Sequence, residues 1–364
     1  MQRQLVSPGS AASCYFRSSV EPPFRKALIQ ITERCNLFCV HCFVSAGNYG
    51  DVMPHSAIVE VALPRLLQAR IRSITLTGGE PFMHPNLTEI VRSLRGADIR
   101  VGICTNATLI TKEHIEAFSR LGEIHVNVSL DGFRPKSHGA FRGDEASFAI
   151  TVRTIRTLGE AHLLQGILVT PNDCAAVDEY CELCNFACEQ GAKYVLMNPL
   201  ASMGRGVKSI GKLRARNKFM ETVREQTVVY QDRIDIVPIR FPNTTLPLAP
   251  CEAGTIIYVF TRGDVTVCPY LVFAARTPQS QHKPTEFIVG NIFNDGDIAL
   301  RLDNYRFHER YRVGRNSTCE CCSMNANCGK GCPAAVIATG ERIGSLDREV
   351  CPIGTSEQNG VGIS

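Results

Sequence analysis

Apolar and polar positions follow a repeating order along the first two thirds of the chain, with a short apolar run followed by a longer amphipathic one. The apolar runs predict strands over residues 26–32, 73–77, 99–104, 123–130, 166–170 and 194–197. The amphipathic stretches predict helices near 55–70, 85–96, 111–121, 146–160 and 174–190. Such strand–helix units predict parallel strands joined by right-handed crossovers. About six units are present, which favours a partial (β/α)6 TIM-like barrel over a closed barrel of eight.

The helical pattern stops near Tyr230, and the rest of the chain has a different character. Short strands, Gly and Pro turns and most of the remaining cysteines follow Ile234. We therefore expect three parts. These are a polar N-terminal lead-in over 1–25, an α/β barrel over 26–235, and a small cysteine-rich α+β domain over 236–364.

Composition and charge narrow the function classes. The chain has 364 residues, a formal net charge of +4 and no block of like charges, so neither a nucleic acid nor a membrane partner is expected. The N-terminal residues lack the apolar segment of an export signal, which favours a cytoplasmic location. In that reducing compartment, 17 cysteines in grouped spacings indicate metal binding and not a disulfide framework.

The most informative cysteines form a C-x3-C-x2-C run directly after the first predicted strand, at Cys35, Cys39 and Cys42. Three thiolates on a short loop can hold three irons of a cubane iron–sulfur cluster and leave the fourth iron open. A structural zinc site is the alternative, but it needs a fourth ligand, and His41 lies between two of the cysteines. The run favours the iron–sulfur site and leaves zinc open.

Polar motifs follow the next three predicted strands. They are Thr77-Gly-Gly-Glu-Pro, Cys104-Thr-Asn-Ala-Thr and Asn127-Val-Ser-Leu-Asp-Gly. In a parallel barrel these strand ends meet at the face where ligands bind. The two glycines permit a close backbone approach, and Glu80 offers a carboxylate to an ammonium group. The polar side chains of the other two motifs could bond ribose hydroxyls, although each motif alone is also a common turn.

Together these features resemble the radical S-adenosylmethionine (SAM) superfamily, whose GGEP motif is matched by Gly78-Gly79-Glu80-Pro81. The resemblance covers about residues 26–235 and implies a [4Fe–4S] cluster on Cys35, Cys39 and Cys42, with an open iron that chelates the amino and carboxylate groups of SAM. It assigns the amino group to Glu80 and the ribose to Ser129 and Asp131. The implied SAM-binding residues are Gly78, Gly79, Glu80, Asn106, Ser129 and Asp131. His41 stands where many members carry an aromatic residue beside the adenine.

The C-terminal cysteines resemble a second module, the SPASM domain of radical SAM enzymes, which carries two auxiliary iron–sulfur clusters. Its seven positions are matched by Cys251, Cys268, Cys319, Cys322, Cys328, Cys332 and Cys351. The resemblance assigns a distal cluster to Cys319, Cys322, Cys328 and Cys351, and a proximal cluster to Cys251, Cys268 and Cys332. No fourth proximal ligand is evident, so we expect one open iron there. Zinc is the alternative for the 319–332 group.

Other cysteines and two short segments are less informative. Cys181, Cys184 and Cys188 fall on one stripe of a helix expected to begin near Ala175, so we expect them in the core with Cys104. Cys321 is spare, and Cys14 and Cys174 receive no role. Phe141-Arg142-Gly143 resembles a short arginine–glycine segment that is common after the fourth strand in this family, with a salt bridge as the alternative. Met203-Gly-Arg-Gly206, after the sixth predicted strand, is a candidate for a contact with SAM or substrate.

The resemblance implies reductive cleavage of SAM to a 5′-deoxyadenosyl radical that abstracts hydrogen from a substrate. For SPASM-bearing enzymes that substrate is typically a ribosomally made peptide or protein, modified after translation. The alternatives are radical modification of a small molecule, such as a sugar or a tetrapyrrole side chain, and a non-catalytic iron–sulfur electron carrier or zinc-stabilised binding module. Pro269 replaces the Asp of sulfatase-maturing relatives, which argues against formylglycine formation.

The expected partners follow from the same resemblance. Few residues precede the first strand, so a separate protein is expected to recognise a peptide leader unless the peptide binds directly. A reductant such as flavodoxin or ferredoxin is expected to supply the electron. The catalytic acid or base is unassigned. Tyr270 is a candidate proton donor, with a packed aromatic as the alternative.

Overall fold

The computed structural model describes residues 9–15, 20–21 and 23–354, so the predicted lead-in over 1–25 falls partly outside the described residues. Its main feature is one ten-stranded sheet in the order β10-β9-β8-β1-β2-β3-β4-β5-β6-β7. The strands are β1 Arg25–Thr32, β2 Ile71–Gly78, β3 Arg100–Thr105, β4 Ile124–Ser129, β5 Leu164–Val169, β6 Tyr194–Met197, β7 Asp235–Pro238, β8 Ile256–Val259, β9 Asp264–Thr266 and β10 Ile288–Asn291.

Helices follow the strands along the chain. They are α1 Leu63–Gln68, α2 Leu87–Gly96, α3 Lys112–Leu121, α4 Pro135–Arg142, α5 Ala146–Glu160, α6 Val177–Glu189, α7 Gly206–Leu213, α8 Asn217–Thr227, α9 Pro269–Ala275, α10 Ile298–Asn304, α11 Phe307–Arg310, α12 Ser317–Glu320 and α13 Pro333–Ala338. A π-helical turn, Ala57–Ala62, leads into α1, where the pattern predicted one continuous helix. Thr111 caps α3 by accepting a hydrogen bond from the backbone N–H of His114.

The predicted α/β fold with six parallel strand–helix units is confirmed. β1 to β7 are parallel neighbours throughout, and their central residues, such as Ile29, Ile74 and Ile103, are fully buried. Such strands read as continuous apolar runs because both faces are covered. β7 adds a seventh parallel strand that the pattern did not predict, and the proposed boundary after residue 235 falls within it.

The C-terminal part of the chain joins the same sheet. β8 pairs in parallel with β1, with Ala27 opposite Ile257 and Ile29 opposite Val259, and β9 and β10 continue antiparallel. β1 therefore has β2 on one side and β8 on the other. The strand that leads into Cys35 is thus flanked by both parts of the chain. Within the described residues, none of the helices has the length and apolar character needed to cross a membrane.

Candidate active site

The cysteine run forms a loop after β1 whose sulfur atoms accept hydrogen bonds. The amide of Leu37 donates to Cys35 Sγ and that of Ala46 to Cys42 Sγ, each at 3.4 Å. The guanidinium of Arg142 donates to Cys39 Sγ at 3.7 Å. The loop is compact, and all three cysteines line one cavity of about 360 Å³ at the carboxyl ends of the strands. Hydrogen bonds to sulfur of this kind are among the features that tune iron–sulfur clusters.

Burial makes the thiols of Cys35 and Cys39 poor acids by themselves. It raises the pKa of Cys35 to about 12, and it also raises the pKa of Cys39 despite the nearby Arg142. A bound cation offsets this cost because a coordinating thiol is deprotonated outright. The loop is therefore a donor set suited to iron.

The two glycines of the GGEP motif lie against the cysteine loop. A Cβ at Gly79 would overlap the carbonyl of Arg34 and come within 2.9 Å of the Cys35 Cβ, and a Cβ at Gly78 would overlap the carbonyl of Thr32. The backbone N–H of Gly79 also donates a hydrogen bond to Thr32 O, at 2.8 Å, across the same contact. Glycine is thus required for contact between the β1 and β2 ends.

Glu80 connects this motif to the end of β3. Its carboxylate accepts hydrogen bonds from Thr105 Oγ1 at 2.7 Å, Asn106 N at 2.8 Å and Phe82 N at 3.2 Å. Burial raises the pKa of Glu80 to about 6 although these donors oppose the shift. Two carboxylate oxygens offer about four acceptor positions, so one remains for a ligand. Glu80 lines the cavity.

Asn106 and Ser129 also line the cavity, as the sequence predicted for the ends of β3 and β4. The Asn106 side-chain amide donates to Asn36 Oδ1 at 3.0 Å, which joins β3 to the cysteine loop. Its Oδ1 accepts from the Thr108 hydroxyl at 2.6 Å. Ser129 is half-buried and faces the same space.

Asp131 is placed differently from the sequence prediction. Its side chain is fully buried and is not among the cavity-lining residues. One oxygen accepts from Arg142 Nε at 2.5 Å and the other from Thr170 N at 2.6 Å. Because this carboxylate is buried away from the cavity and pairs with Arg142, the predicted contact with ribose is corrected: Asp131 holds Arg142 against Cys39.

The segment Met203-Gly-Arg-Gly206 packs on the cysteine loop and not on the strand ends. Arg205 donates to Cys39 O at 2.7 Å and Ala46 O at 2.6 Å, and its guanidinium lies over the Phe38 ring at 4.0 Å. Gly204 has a φ of +54° and sits where a Cβ would overlap loop carbonyls. The hydrogen bonds of Arg205 could not be predicted from the sequence because they join positions more than 150 residues apart.

Two buried polar atoms at the cavity have no hydrogen-bond partner within the described part of the chain, His41 Nδ1 and Asn198 Oδ1. The His41 ring stacks on Phe141 at 4.3 Å, and burial, with Arg142 and Arg205 nearby, holds its pKa well below the usual value. It is therefore a neutral aromatic ring at physiological pH. Asn198, directly after β6, and Lys26, on β1, are cavity residues that the sequence reasoning missed. A charged residue in an otherwise apolar strand was the available signal for Lys26.

The C-terminal cysteines fall into two groups. Cys319 lies near Cys328 and Cys351; burial raises its pKa, and these two neighbouring thiols raise it further. Backbone amides donate to these sulfurs at 3.4 Å, from Met324 to Cys322 and from Leu248 to Cys328. The other three, Cys251, Cys268 and Cys332, line a separate small cavity. No group of three or more Cys, His, Asp or Glu side chains in the described ranges is placed to hold a single metal ion; in a cubane cluster each thiolate takes its own iron.

Tyr270 follows Cys268 on α9 and lies in the walls of both cavities. Burial raises its pKa well above the ordinary value, so the phenol keeps its proton. Its ring stacks on Tyr15 and meets Phe43 edge-on at 5.1 Å. These contacts are those of a packed aromatic between two sites.

Comparison with known proteins agrees with this geometry. Residues 29–175 match the sequence model of the Radical SAM superfamily. This part of the chain belongs to the radical SAM superfamily. That membership implies SAM and a [4Fe–4S] cluster, and the residues present fit both. Three thiols share a loop, Gly78 and Gly79 line the same cavity, and within the described residues the buried His41 Nδ1 has no hydrogen-bond partner.

Relatives of this chain include named biosynthetic proteins. The subtilosin biosynthesis protein AlbA of Bacillus subtilis is 28% identical over 80% of this chain, which spans 64% of that protein's length. The mycofactocin maturase MftC of Mycobacterium tuberculosis is 25% identical over 90% of this chain and 83% of its own. The crystal structure of Streptococcus suis SuiB bound to precursor peptide SuiA has the same fold. Its TM-score is 0.70 at 17% identity, over 88% of this chain and 75% of that one.

Proposed function

We propose that this radical SAM enzyme modifies a ribosomally made peptide or protein by abstracting hydrogen from it. The observation that carries the proposal is the cavity shared by the cysteine loop, the SAM-binding strand ends and the C-terminal residues Tyr258, Pro269 and Tyr270. It opens to solvent, so one residue of a chain can reach in while the remainder stays outside. The names of AlbA and MftC, a bacteriocin biosynthesis protein and a maturase, support a peptide substrate.

The cavity residues that carry the sequence motifs, together with His41 and Asn198, have proposed roles toward SAM. Cys35, Cys39 and Cys42 hold the cluster, and the remaining acceptor position of Glu80 takes the SAM amino group. When bound, the cluster and SAM supply a 5′-deoxyadenosyl radical. Ser129, with Asn106 and Asn198, offers hydrogen-bond partners to ribose and adenine, and the neutral His41 ring offers the adenine a polar edge. Gly78 and Gly79 bring this surface against the loop.

The C-terminal residues have a supporting role in this proposal. The proposed distal cluster is held by Cys319, Cys322, Cys328 and Cys351, and the proximal cluster includes Cys251, Cys268 and Cys332. These clusters would accept the electron that the substrate radical loses when it is oxidised. Tyr270 fills the wall between the proximal cavity and the SAM cavity.

The remaining proposals concern organisation and partners. We divide the chain at about residue 235 into a radical SAM barrel and an auxiliary-cluster domain, although β7 and β8 extend one common sheet. A flavodoxin or ferredoxin in the cytoplasm would supply the electron that SAM cleavage consumes. A separate recognition protein would present the leader of the peptide.

The test uses anaerobically reconstituted protein with dithionite and SAM. Any short peptide encoded beside its gene is made fully deuterated and added. We expect 5′-deoxyadenosine to form and to carry deuterium from the peptide, which then has a changed mass. Formation of 5′-deoxyadenosine without deuterium from any such peptide would contradict the peptide assignment. Its complete absence, with clusters intact, would contradict radical SAM catalysis itself.

A further inference from the structure

A cysteine to which the sequence assigned no role lies inside the proximal cavity. Cys14 lines this cavity together with Cys251, Cys268 and Cys332. Its side chain is 4% exposed, and its thiol donates to Gly331 O at 3.7 Å and hydrogen-bonds to the Cys332 side chain. Four thiols from three distant parts of the chain therefore face one small space.

The segment that carries Cys14 is held by the loop that leads to Cys251. Ala11 N donates to Pro247 O at 2.9 Å, and Ala249 N donates to Ala11 O at 2.8 Å, as in a short parallel pairing. The Ser13 hydroxyl is fully buried and donates to Ala249 O at 2.9 Å. These bonds set the position of Cys14 relative to Cys251.

Arg240 holds the same segment from its other side. Its guanidinium donates to Ser13 O at 2.9 Å and pairs with the buried Asp347 through bonds of 2.6 and 2.9 Å. Asp347 also accepts from the backbone N–H of Cys332 at 2.9 Å. One buried ion pair thus positions the chain at both Cys14 and Cys332.

The competing candidate lies elsewhere. Cys321 is exposed on the loop of the distal group, and it is not among the residues that line the proximal cavity. The cavity is small, about 20 Å³, so binding a cluster requires the thiol groups to turn outward from its centre.

We propose that Cys14 is the fourth ligand of the proximal auxiliary cluster, with Cys251, Cys268 and Cys332. Each thiol gives up its proton as its sulfur binds one iron, and the four thiolates close the shell. The cluster then has no iron open to substrate, which replaces the sequence expectation of an open site. The N-terminal segment becomes a structural part of the cluster domain. The inference rests on the proposed function of the C-terminal cysteines as iron–sulfur ligands.

The experiment observes the auxiliary clusters alone. In a Cys35→Ala/Cys39→Ala/Cys42→Ala background, the full chain is reconstituted with ⁵⁷Fe and examined by iron and zinc analysis, Mössbauer spectroscopy and EPR of the reduced state. We expect about eight irons per chain, four for each of two clusters. Adding Cys14→Ala, or Cys14→Val, which keeps the apolar packing, should lower the iron content by about one to four atoms or produce a three-iron signal.

Matched variants separate ligation from packing. Cys14→Ser retains a ligating oxygen, so it should keep more iron than Cys14→Val and shift the reduced EPR spectrum. Cys321→Ala and Cys181→Ala should match the background protein. An unchanged signal of the distal cluster reports that a variant is folded. If Cys14→Ala loses that signal, the comparison with Cys14→Ser tests ligation instead.

Two different failures are distinguishable. If Cys14→Val has the iron content and spectra of the background, the cysteine packs and does not ligate, and the inference is overturned while the cluster assignment stands. If the background protein itself contains zinc or no iron at the C-terminal cysteines, the proposed function of that region fails first. A change in Cys321→Ala alone would transfer the role to Cys321.

Discussion

The rings of Tyr15 and Tyr270 stack with centroids 4.9 Å apart, at an interplanar angle of 22°, and both line the SAM cavity and the proximal cavity. They form a shared wall one aromatic pair thick. Since the ring of Tyr270 packs against those of Tyr15, Phe43 and Phe273, we assign it to packing and not to proton transfer.

Replacing Tyr270 separates these two roles. Tyr270→Phe keeps the ring, so 5′-deoxyadenosine formation should stay within about twofold of the parent. Tyr270→Ala removes a buried aromatic, which typically costs about 3–5 kcal/mol, and should lower the temperature of unfolding and expose the proximal cluster to solvent. Anaerobic turnover and the rate of cluster loss in air check this. A Phe variant without activity would restore the proton-donor role.

Gly79 should be intolerant of a side chain. In Gly79→Ala the new Cβ meets the Arg34 carbonyl and the Cys35 Cβ, so the cysteine loop must move. We expect the variant to lose about four irons per chain, those of the N-terminal cluster, and its SAM cleavage. Gly96→Ala is the matched control, because a Cβ there meets nothing within 4 Å. Equal iron content in the two variants would contradict the assigned contact.

SAM binding should depend on pH through Glu80. Because the pKa of this carboxyl is raised to about 6, it is ionised at pH 7.5 and gains a proton as the pH falls below about 6. SAM affinity should therefore fall over that range. At pH 7.5, Glu80→Gln should weaken binding by about 1.5–3 kcal/mol, roughly ten- to hundredfold. Anaerobic equilibrium dialysis measures both effects.

The control for Glu80 is Glu89→Gln, which changes an exposed carboxyl on α2. It should bind SAM as the parent does, including the fall below pH 6. The fall should be missing in Glu80→Gln. If that variant keeps the same transition, another group controls the pH dependence.

Arg142 and Asp131 should be energetically coupled. Both are buried, and Arg142→Gln leaves the Asp131 carboxylate without its charged partner, at a cost of about 3–5 kcal/mol. The double variant Arg142→Gln/Asp131→Asn should unfold at a higher temperature than Arg142→Gln alone.

Both variants lose a cation beside Cys39, so the N-terminal cluster should become harder to reduce in each. Thermal unfolding and EPR-monitored redox titration measure these outcomes. Additive effects on unfolding would contradict the pairing.

Asp347 offers a contrast between a buried and an exposed ion pair. Asp347→Asn takes away one of the two carboxylates that pair with the buried Arg240, which keeps Glu349 at 2.5 Å, and should cost about 1–3 kcal/mol. Asp303→Asn removes a partly exposed pair with Arg25 and Arg70, for which about 0–1 kcal/mol is expected. Anaerobic thermal unfolding should show a large decrease only for the Asp347 variant. Similar decreases in both would contradict the structural role given to the Arg240 pair.

The strands and most helices could be predicted from the sequence because each carries its own period. β6 was predicted with its observed bounds, Tyr194–Met197, and α5 with its bounds, Ala146–Glu160. The six-unit barrel followed from their order. β7 was missed because a four-residue strand after a long helical stretch gives little periodic signal.

The site could be predicted only where motif and strand end coincide. Gly78, Glu80 and Asn106 reach the cavity because they lie at the carboxyl ends of buried strands. Asp131 also follows a buried strand, but its carboxylate pairs with Arg142 and does not reach the cavity. No local sequence pattern predicts which partner a buried side chain will have. Cys14 was the extreme case, since its contact with Gly331 spans 317 positions along the chain.

The pairing of β1 with β8 sets an order for biosynthesis. A ribosome releases β1 and the Cys35 loop more than two hundred residues before it releases Ile256, the first residue of β8. Until then one edge of β1 has unpaired backbone groups, and such edges favour association with other chains. Contacts this distant in sequence also close slowly. The Cys35 loop therefore waits for the later strands, and iron inserted before Ile256 emerges would meet a chain whose β1 is only half paired.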